Sequence, residues 1–349
     1  MNSKTISRRD VLKSAAGASV LLAMPAYVKG AKADHVLTFG HTFGKATENV
    51  MITGLQQWKE KAEEYAGGKL LIDIHEAGSL GGQNVLPQKV LQQSIQGCQL
   101  STQNFTPYSA VYNLLDFPFL FSSNETFEDM LTTEAFLSSA FISEPQSKGF
   151  TVLPGMWANA GHRVLGISKK KELVVRNPED LNGVKIRVTG SKVEQNFFKL
   201  TPADPVSIAW GETYQALEQG AADALNVGLG PLTATRIFET LGSATLTRIN
   251  FNCHITLLSA RWFDGLPGDV QDAILKGAAE SFDFQRTGQA KANNEMIDMW
   301  KSSGIHIEDP DPEVKKVWVE SFGHQLPEWD ELKETYGKDV WSQLEGWAS

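Results

Sequence analysis

The sequence predicts an α/β protein of two similar lobes braced by one long helix, and three observations carry that expectation. The 349 residues, 42% of them hydrophobic, can bury a large core and favour two lobes over one compact domain. Strand-type and helix-type runs alternate from Val36 onward, and the same alternation returns from Gly161. From Pro267 to Ser303 the pattern is helical with few breakers, which at 1.5 Å per residue gives up to ~54 Å, longer than one small lobe. Such a helix can brace both lobes unless Gly277 and Gly288 interrupt it. No low-complexity tract or fixed-period repeat occurs, which sets solenoids and disordered arrays aside.

The first 33 residues read as an address. Lys4, Arg8, Arg9 and Lys13 precede the small and apolar run from Ala15 to Met24, and Ala31-Lys32-Ala33 forms an A-x-A cleavage pattern. Ser7-Arg8-Arg9-Asp10-Val11-Leu12-Lys13 resembles the twin-arginine signal, with Val11 where a Phe is more usual. The apolar run is about half the ~20 residues that span a bilayer, so the mature protein is expected to make no stable membrane insertion. The leader carries a formal +5, so the whole-chain charge of −9 becomes −14 without it, and nucleic acid is not an expected partner. Local arginines in a cleft can still hold an anion, because diffuse charge is screened over ~10 Å.

Val36 to Phe39 reads as a strand, and Ile52, Leu55, Ala62 and Tyr65 follow at helical spacing up to Gly67-Gly68. Leu70 to Ile74 is a second strand, Gly78 to Gln83 a loop, and Leu86, Val90, Leu91 and Ile95 mark a helix, the rhythm of a parallel sheet covered on both faces. The run from Cys98 to Asn104 is too polar for a central strand, and its polar end suits a cleft. Leu114 to Phe121 is expected to be buried, because large apolar runs are seldom left in water. A helix is expected from about Thr126 to Lys148 and a strand from Phe150 to Met156.

The stretch from Arg163 to Gly230 is the most informative. In Lys185-Ile186-Arg187-Val188 the apolar residues point one way, so Arg187 shares the other face with Lys185 just before a turn at Thr189-Gly190. A charge where a strand ends is placed for a ligand. The alternative is an ion pair with Glu194 or Asp180. Arg163 follows His162 and precedes Lys169 to Lys171, so an exposed basic edge competes with a ligand role. Val193, Phe197 and Leu200 mark one helix, Tyr214 and Leu217 another. Arg248 to Phe263 is long for one strand and can pass from one lobe to the other; Asp309 to Ser349 reads as helical packing.

These residues carry a resemblance. DLNGVKIRV, then PADPVSIAWGETYQALEQGAADAL, with AGSLGGQNVLPQKVLQQSIQG upstream, resemble the DctP-type solute-binding subunits of tripartite ATP-independent periplasmic (TRAP) transporters over about residues 35 to 305. The resemblance implies a two-lobed periplasmic binding protein that closes on a small organic anion and delivers it to membrane permease subunits. It implies that Arg187 holds the ligand carboxylate, that Arg163 in Gly161-His162-Arg163 is a second arginine of the site, and that Trp210, ahead of Glu212 and Tyr214, lines the pocket. One departure stands out: where the family commonly reads D-G-x-E-N, this chain has Asp223-Ala224-Leu225-Asn226-Val227. The family's asparagine thus falls on Val227, with Asn226 one place earlier, which implies an unusual or more apolar ligand at that corner.

An arginine offers a planar fork of donors that matches a carboxylate and stays charged. Gln83 and Asn104, on loops after strands, can add amide hydrogen bonds, and Trp157, at a lobe crossover, is a further candidate. The expected lobes are 34–160 with about 250–288, and 161–249 with about 289–320, after an export signal at 1–33 and before a helical segment at about 321–349.

Other chemistries lack their motifs. Gly40-His41-Thr42-Phe43-Gly44-Lys45 has three residues between its glycines where a P-loop needs four, and Ala46 follows. No G-x-S-x-G and no H-E-x-x-H occur, and His35 and His41 have no third metal ligand close by. No cofactor is expected. Cys98 and Cys253 belong to no C-x-x-C; they can pair after export or remain small buried hydrophobes. The competing readings are a secreted α/β enzyme acting on a small organic acid, and a binding protein coupled to an ATP-driven transporter or a sensor.

Overall fold

The computed structural model describes residues 33–44 and 50–348. The export signal falls almost entirely outside them. Eleven strands form one continuous sheet: β1 (His35–Gly40), β2 (Leu70–His75), β3 (Gly97–Ser101), β4 (Phe150–Val152), β5 (Ala158–Ser168), β6 (Lys185–Val188), β7 (Asp204–Ser207), β8 (Ala224–Gly228), β9 (Leu241–Thr245), β10 (Phe251–Ser259) and β11 (His306–Glu308). The helices are α1 (Val50–Tyr65), α2 (Leu86–Leu91), α3 (Thr102–Phe105), α4 (Asn124–Thr132), α5 (Glu134–Leu137), α6 (Ala140–Ser147), α7 (Lys192–Leu200), α8 (Thr213–Gln219), α9 (Leu229–Ala234), α10 (Ala260–Asp264), α11 (Gly268–Ser302), α12 (Pro312–Phe322) and α13 (Asp330–Ala348).

The main path of the sheet runs β2-β1-β3-β10-β5-β8-β6-β7. Its two halves mirror each other. β1 pairs in parallel with β2 and β3, and β6 pairs in parallel with β7 and β8. An antiparallel strand then closes each triplet, β10 against β3 and β5 against β8, and these two pair with each other at the centre. The α/β rhythm therefore leads to two parallel triplets, while the centre is antiparallel, a feature the local patterns did not show. Both central strands have no exposed residue, although each carries polar side chains, Asn159 and Arg163 on β5 and Asn252 and His254 on β10.

Helix α11 is unbroken over 35 residues, so neither of its glycines interrupts it. Gly277 is there for close approach: a Cβ on it would lie 2.9 Å from the Ala62 nitrogen of α1. Val270 and Ile274 near its start join Leu37, Phe39 and Trp58 in one core, and Trp300 near its end joins Leu217, Leu225 and Leu241 in another. Indole hydrogen bonds tie both ends, Trp58 to the Ile274 carbonyl at 3.2 Å and Trp300 to the Thr233 hydroxyl at 3.0 Å. The helix braces both halves, as expected.

The expected helix from Thr126 to Lys148 is instead three short ones. Thr133 and Ser139 take extended backbone and accept from the next helices' N–H groups, so each side chain caps a new start instead of continuing the old turn. Leu114, Leu115, Phe117, Leu120 and Phe121 are all buried, and Phe117 packs on Trp341 and Trp329 at ring separations of 4.7 and 5.4 Å. The tryptophan-rich C-terminal segment thus covers that apolar run. Cys98 and Cys253 are both free and buried; Cys98 stands opposite Leu257 in the β3–β10 ladder, well along the strand from Cys253. No helix among the described residues is long and apolar enough to cross a membrane.

Candidate functional site

A cleft of about 730 Å³ opens on the loops after β1, β3, β6 and β7, and a narrow recess of about 20 Å³, room for roughly one water, leads inward from it. Gln83, Asn104, Thr189 and Trp210 line both.

Arg187 and Arg163 both line the recess, and each is only 2% exposed. Arg187 lies at the end of β6 with its Nε donating to the Ile208 carbonyl at 2.9 Å, and its guanidinium carbon stands 5.6 Å from the Trp210 ring centre. Arg163 is on β5 beyond Gly161, whose φ of 78° bends the strand and whose missing Cβ makes room for Asn293 of α11. Its Nε donates to Phe251 O at 3.3 Å and its Nη1 to Asn226 O at 2.8 Å. Backbone carbonyls therefore hold both side chains in place. No carboxylate among the described residues comes within salt-bridge distance of either guanidinium.

The expected alternatives for these arginines do not occur. Asp180 accepts from the Arg176 and Asn177 N–H groups at the start of a 3₁₀ turn. Glu194 accepts from the Thr189 N–H at 2.7 Å and from the Thr189 hydroxyl, while Ser191 caps α7. Arg163 is no exposed edge. Burial pushes both arginines down, Arg187 to about 10, so both remain cations at neutral pH. Glu194 opposes the shift in both cases, and Asp116 does so for Arg163.

The other side chains of the recess are neutral. Burial, with Arg163 and His41 nearby, pushes His254 down to about 3, and burial pushes His41 down to about 4. Both imidazoles are therefore uncharged, and Phe43 stands between them. Gln83 is a local organiser: its oxygen accepts from the Ser101 N–H at 2.8 Å and from Asn104 at 2.9 Å, and its nitrogen donates to Thr42 at 3.0 Å. The Ser101 hydroxyl and the Gln103 amide nitrogen are buried without a partner. Both residues line the recess. Such groups cost about 1–3 kcal/mol unless something fills their valence.

Of the residues singled out in the sequence, Arg187, Arg163, Trp210, Gln83, Asn104 and Val227 come together here, with Glu212 on the outer cleft. Two do not. Trp157 is packed in the core against Phe136 and Tyr112 and lines neither space, because its flanking strands place it beneath the helices that follow β3. Asn226 points to the opposite face of β8 from Val227, where its nitrogen donates to Asn250 at 3.2 Å; strand alternation admits only one of the two neighbours to the recess. Sequence reasoning missed Ser101, Gln103, Thr189, Pro231, Asn252 and His254. The available signals were polar residues at alternate positions of an otherwise apolar β10, Asn252 and His254, and the polar run after Cys98.

No group of three or more His, Cys, Asp or Glu among the described residues could hold a metal ion. The arrangement can fix a planar anion by two forks of donors and add hydrogen bonds from amides and hydroxyls.

The model of one family, DctP, bacterial extracellular solute-binding protein, family 7, matches residues 39–332. The 2,3-diketo-L-gulonate-binding periplasmic protein YiaO of Escherichia coli is 26% identical over 330 residues, covering 94% of this chain and 95% of its own. The C4-dicarboxylate-binding periplasmic protein DctP of Rhodobacter capsulatus is 24% identical over 95% of this chain and 96% of its own. Among solved structures, the sugar acid binding protein DctPAm of Advenella mimigardefordensis, in complex with galactonate, superposes with a TM-score of 0.83 at 21% identity, covering 90% of this chain and 98% of that one. A TRAP periplasmic solute binding protein of Sulfurospirillum deleyianum with bound succinate gives 0.81 at 21% identity, over 90% and 99%.

Proposed function

Because this chain belongs to the DctP family of bacterial extracellular solute-binding proteins, we propose that it is the binding subunit of a TRAP transporter, taking up a small organic carboxylate and handing it to the membrane permease. The family consists of transport binding proteins, not enzymes, and its members are periplasmic. One observation supports the carboxylate above all: two buried guanidiniums face a single recess, and among the described residues no carboxylate lies within salt-bridge distance of either, Glu194 and Asp116 acting on them only from farther off. Buried charge without a partner costs several kcal/mol, so the empty site favours an open, wet state and the filled site a closed one. Closure on ligand then needs contacts from both lobes, 34–160 with about 250–288 and 161–249 with about 289–320. In this reading Arg187 and Arg163 grip the carboxylate, Trp210 stacks on it, and Gln83, Asn104, Val227 and Glu212 contact the rest of the ligand.

The test is a thermal-shift screen of the purified protein against small organic acids. A true ligand at 100 times its Kd stabilises by ~2.7 kcal/mol. The bound acid, recovered after incubation, should be chemically unchanged; turnover would favour the enzyme instead. Mass spectrometry of the exported protein should show a new N-terminus close to Ala33, and loss of export on Arg8→Lys together with Arg9→Lys marks the twin-arginine route.

A further inference from the structure

The positive charge of the site is confined to its inner end. Arg163 and Arg187 line the recess, whereas no Lys, Arg or His among the described residues lines the outer cleft. Among the described residues lining it, the one charged side chain is Glu212. Two nearby lysines are turned to other partners: Lys89 donates to the Leu80 carbonyl at 2.7 Å and Lys148 to the Tyr108 carbonyl at 2.8 Å, with Glu144 as its ion-pair partner. Much of the outer cleft is apolar or aromatic, from Pro107, Tyr108, Ile208, Trp210, Tyr214 and Ile237. Val227 and Pro231 continue that character into the recess.

A molecule with one carboxylate at the recess meets two guanidiniums there. A second carboxylate at its far end would enter a wall to which no described residue contributes a cation and where Glu212 is a neighbour, losing water without gaining a partner. An uncharged body instead buries apolar area against the same wall, a favourable exchange. Building on the solute-binding role proposed above, we infer that the ligand is a monocarboxylate whose uncharged, partly apolar body extends along Trp210 and Tyr108, and that the cleft rejects acids carrying a second carboxylate at the far end. Glu212 is the residue that sharpens the rejection, and Val227 favours an apolar substituent close to the carboxylate.

Calorimetry with hexanoate, 3-phenylpropanoate, adipate and hexanamide tests this on the purified protein. Adipate is hexanoate with a second terminal carboxylate, and hexanamide is hexanoate without its charge. Hexanoate and 3-phenylpropanoate should each bind at least tenfold more tightly than adipate, and hexanamide should give no measurable heat. Glu212→Gln should narrow the gap between hexanoate and adipate at least threefold. Adipate or succinate binding as tightly as the best monocarboxylate overturns the inference and leaves the solute-binding role intact. An unaltered gap in Glu212→Gln overturns the assignment of charge as its cause. Failure of every carboxylate, in these titrations and in the wider acid screen, overturns the solute-binding role and the inference with it.

Discussion

The two halves of the sheet share one topology and carry opposite chemistry. In β2-β1-β3 and β7-β6-β8 a parallel triplet is closed by an antiparallel strand, β10 in one and β5 in the other. The second half brings two cations to the centre, Arg187 from β6 and Arg163 from β5. The first half brings amides and hydroxyls, Gln83 from the loop after β2, Ser101 from the end of β3, and Gln103 and Asn104 from α3. A Thr189 to Gln103 hydrogen bond of 3.3 Å joins them across the middle. Topology decides where strand ends meet, then, and single residues decide what they offer. In the proposed binding role, one half would recognise charge, and the other shape and hydrogen-bonding pattern.

The first half does contain a counter-charge, set back from the cleft. Asp116 is buried with one oxygen unpartnered, and burial pushes it up to about 7, against the pull of Arg163. Because its folded value lies above the ordinary 3.8, the folded protein holds a proton that the unfolded chain releases between pH 4 and 7. Its contribution therefore falls as pH rises through that window and is flat above it. The depressed histidines act in the opposite sense, yet equally in wild type and variant. Asp116→Asn should thus match wild type near pH 4 and be more stable by roughly 4 kcal/mol at pH 8, since each tenfold change in proton affinity is worth about 1.4 kcal/mol. Denaturant titrations at both pH values measure the difference; parallel curves would remove Asp116 as the buried counter-charge.

Removing charge from the other half should break recognition and spare the fold. Arg187→Met forfeits two charged hydrogen bonds at about 1.5 kcal/mol each, so affinity for a carboxylate ligand should drop about 100-fold. The melting temperature of the empty protein should change little, because relief of a desolvated charge is set against the lost Ile208 hydrogen bond and the attraction of Glu194. Arg187→Lys should still bind at least about tenfold more weakly than wild type, since a point charge lacks the fork.

The brace between the halves can be tested separately. Gly277→Val forces side-chain atoms into the Ala62 backbone and should cost about 1–3 kcal/mol of stability by overpacking, with ligand affinity changed less than stability. The smallest effect is expected at Trp210. Trp210→Leu keeps an apolar wall and loses the ring beneath Arg187, so affinity should weaken about fivefold, in line with about 1 kcal/mol for a cation–π contact. No change by calorimetry would make Trp210 a spectator.

Most strands and helices of each half, the long brace and the end-of-strand position of Arg187 were legible in the sequence, because alternation with periods of 2 and 3.6 is a local property of the chain; β3 was not, since its Gln99 and Ser101 read as too polar for a central strand, yet Gly97–Ser101 is wholly buried between β1 and β10. Thr133 and Ser139 were harder, since a hydroxyl that caps one helix and ends another looks like an ordinary helix residue until its backbone is known. The pairing of β5 with β10, the choice of Val227 over Asn226 for the recess and the burial of Trp157 came only with the tertiary structure. The reason is the same for all three. Which face of a strand meets a cavity depends on what packs against the other face, and those partners lie tens to hundreds of residues away. Two arginines 24 positions apart thus came to line one recess only when β8, paired with β5 on one side and β6 on the other, brought them together.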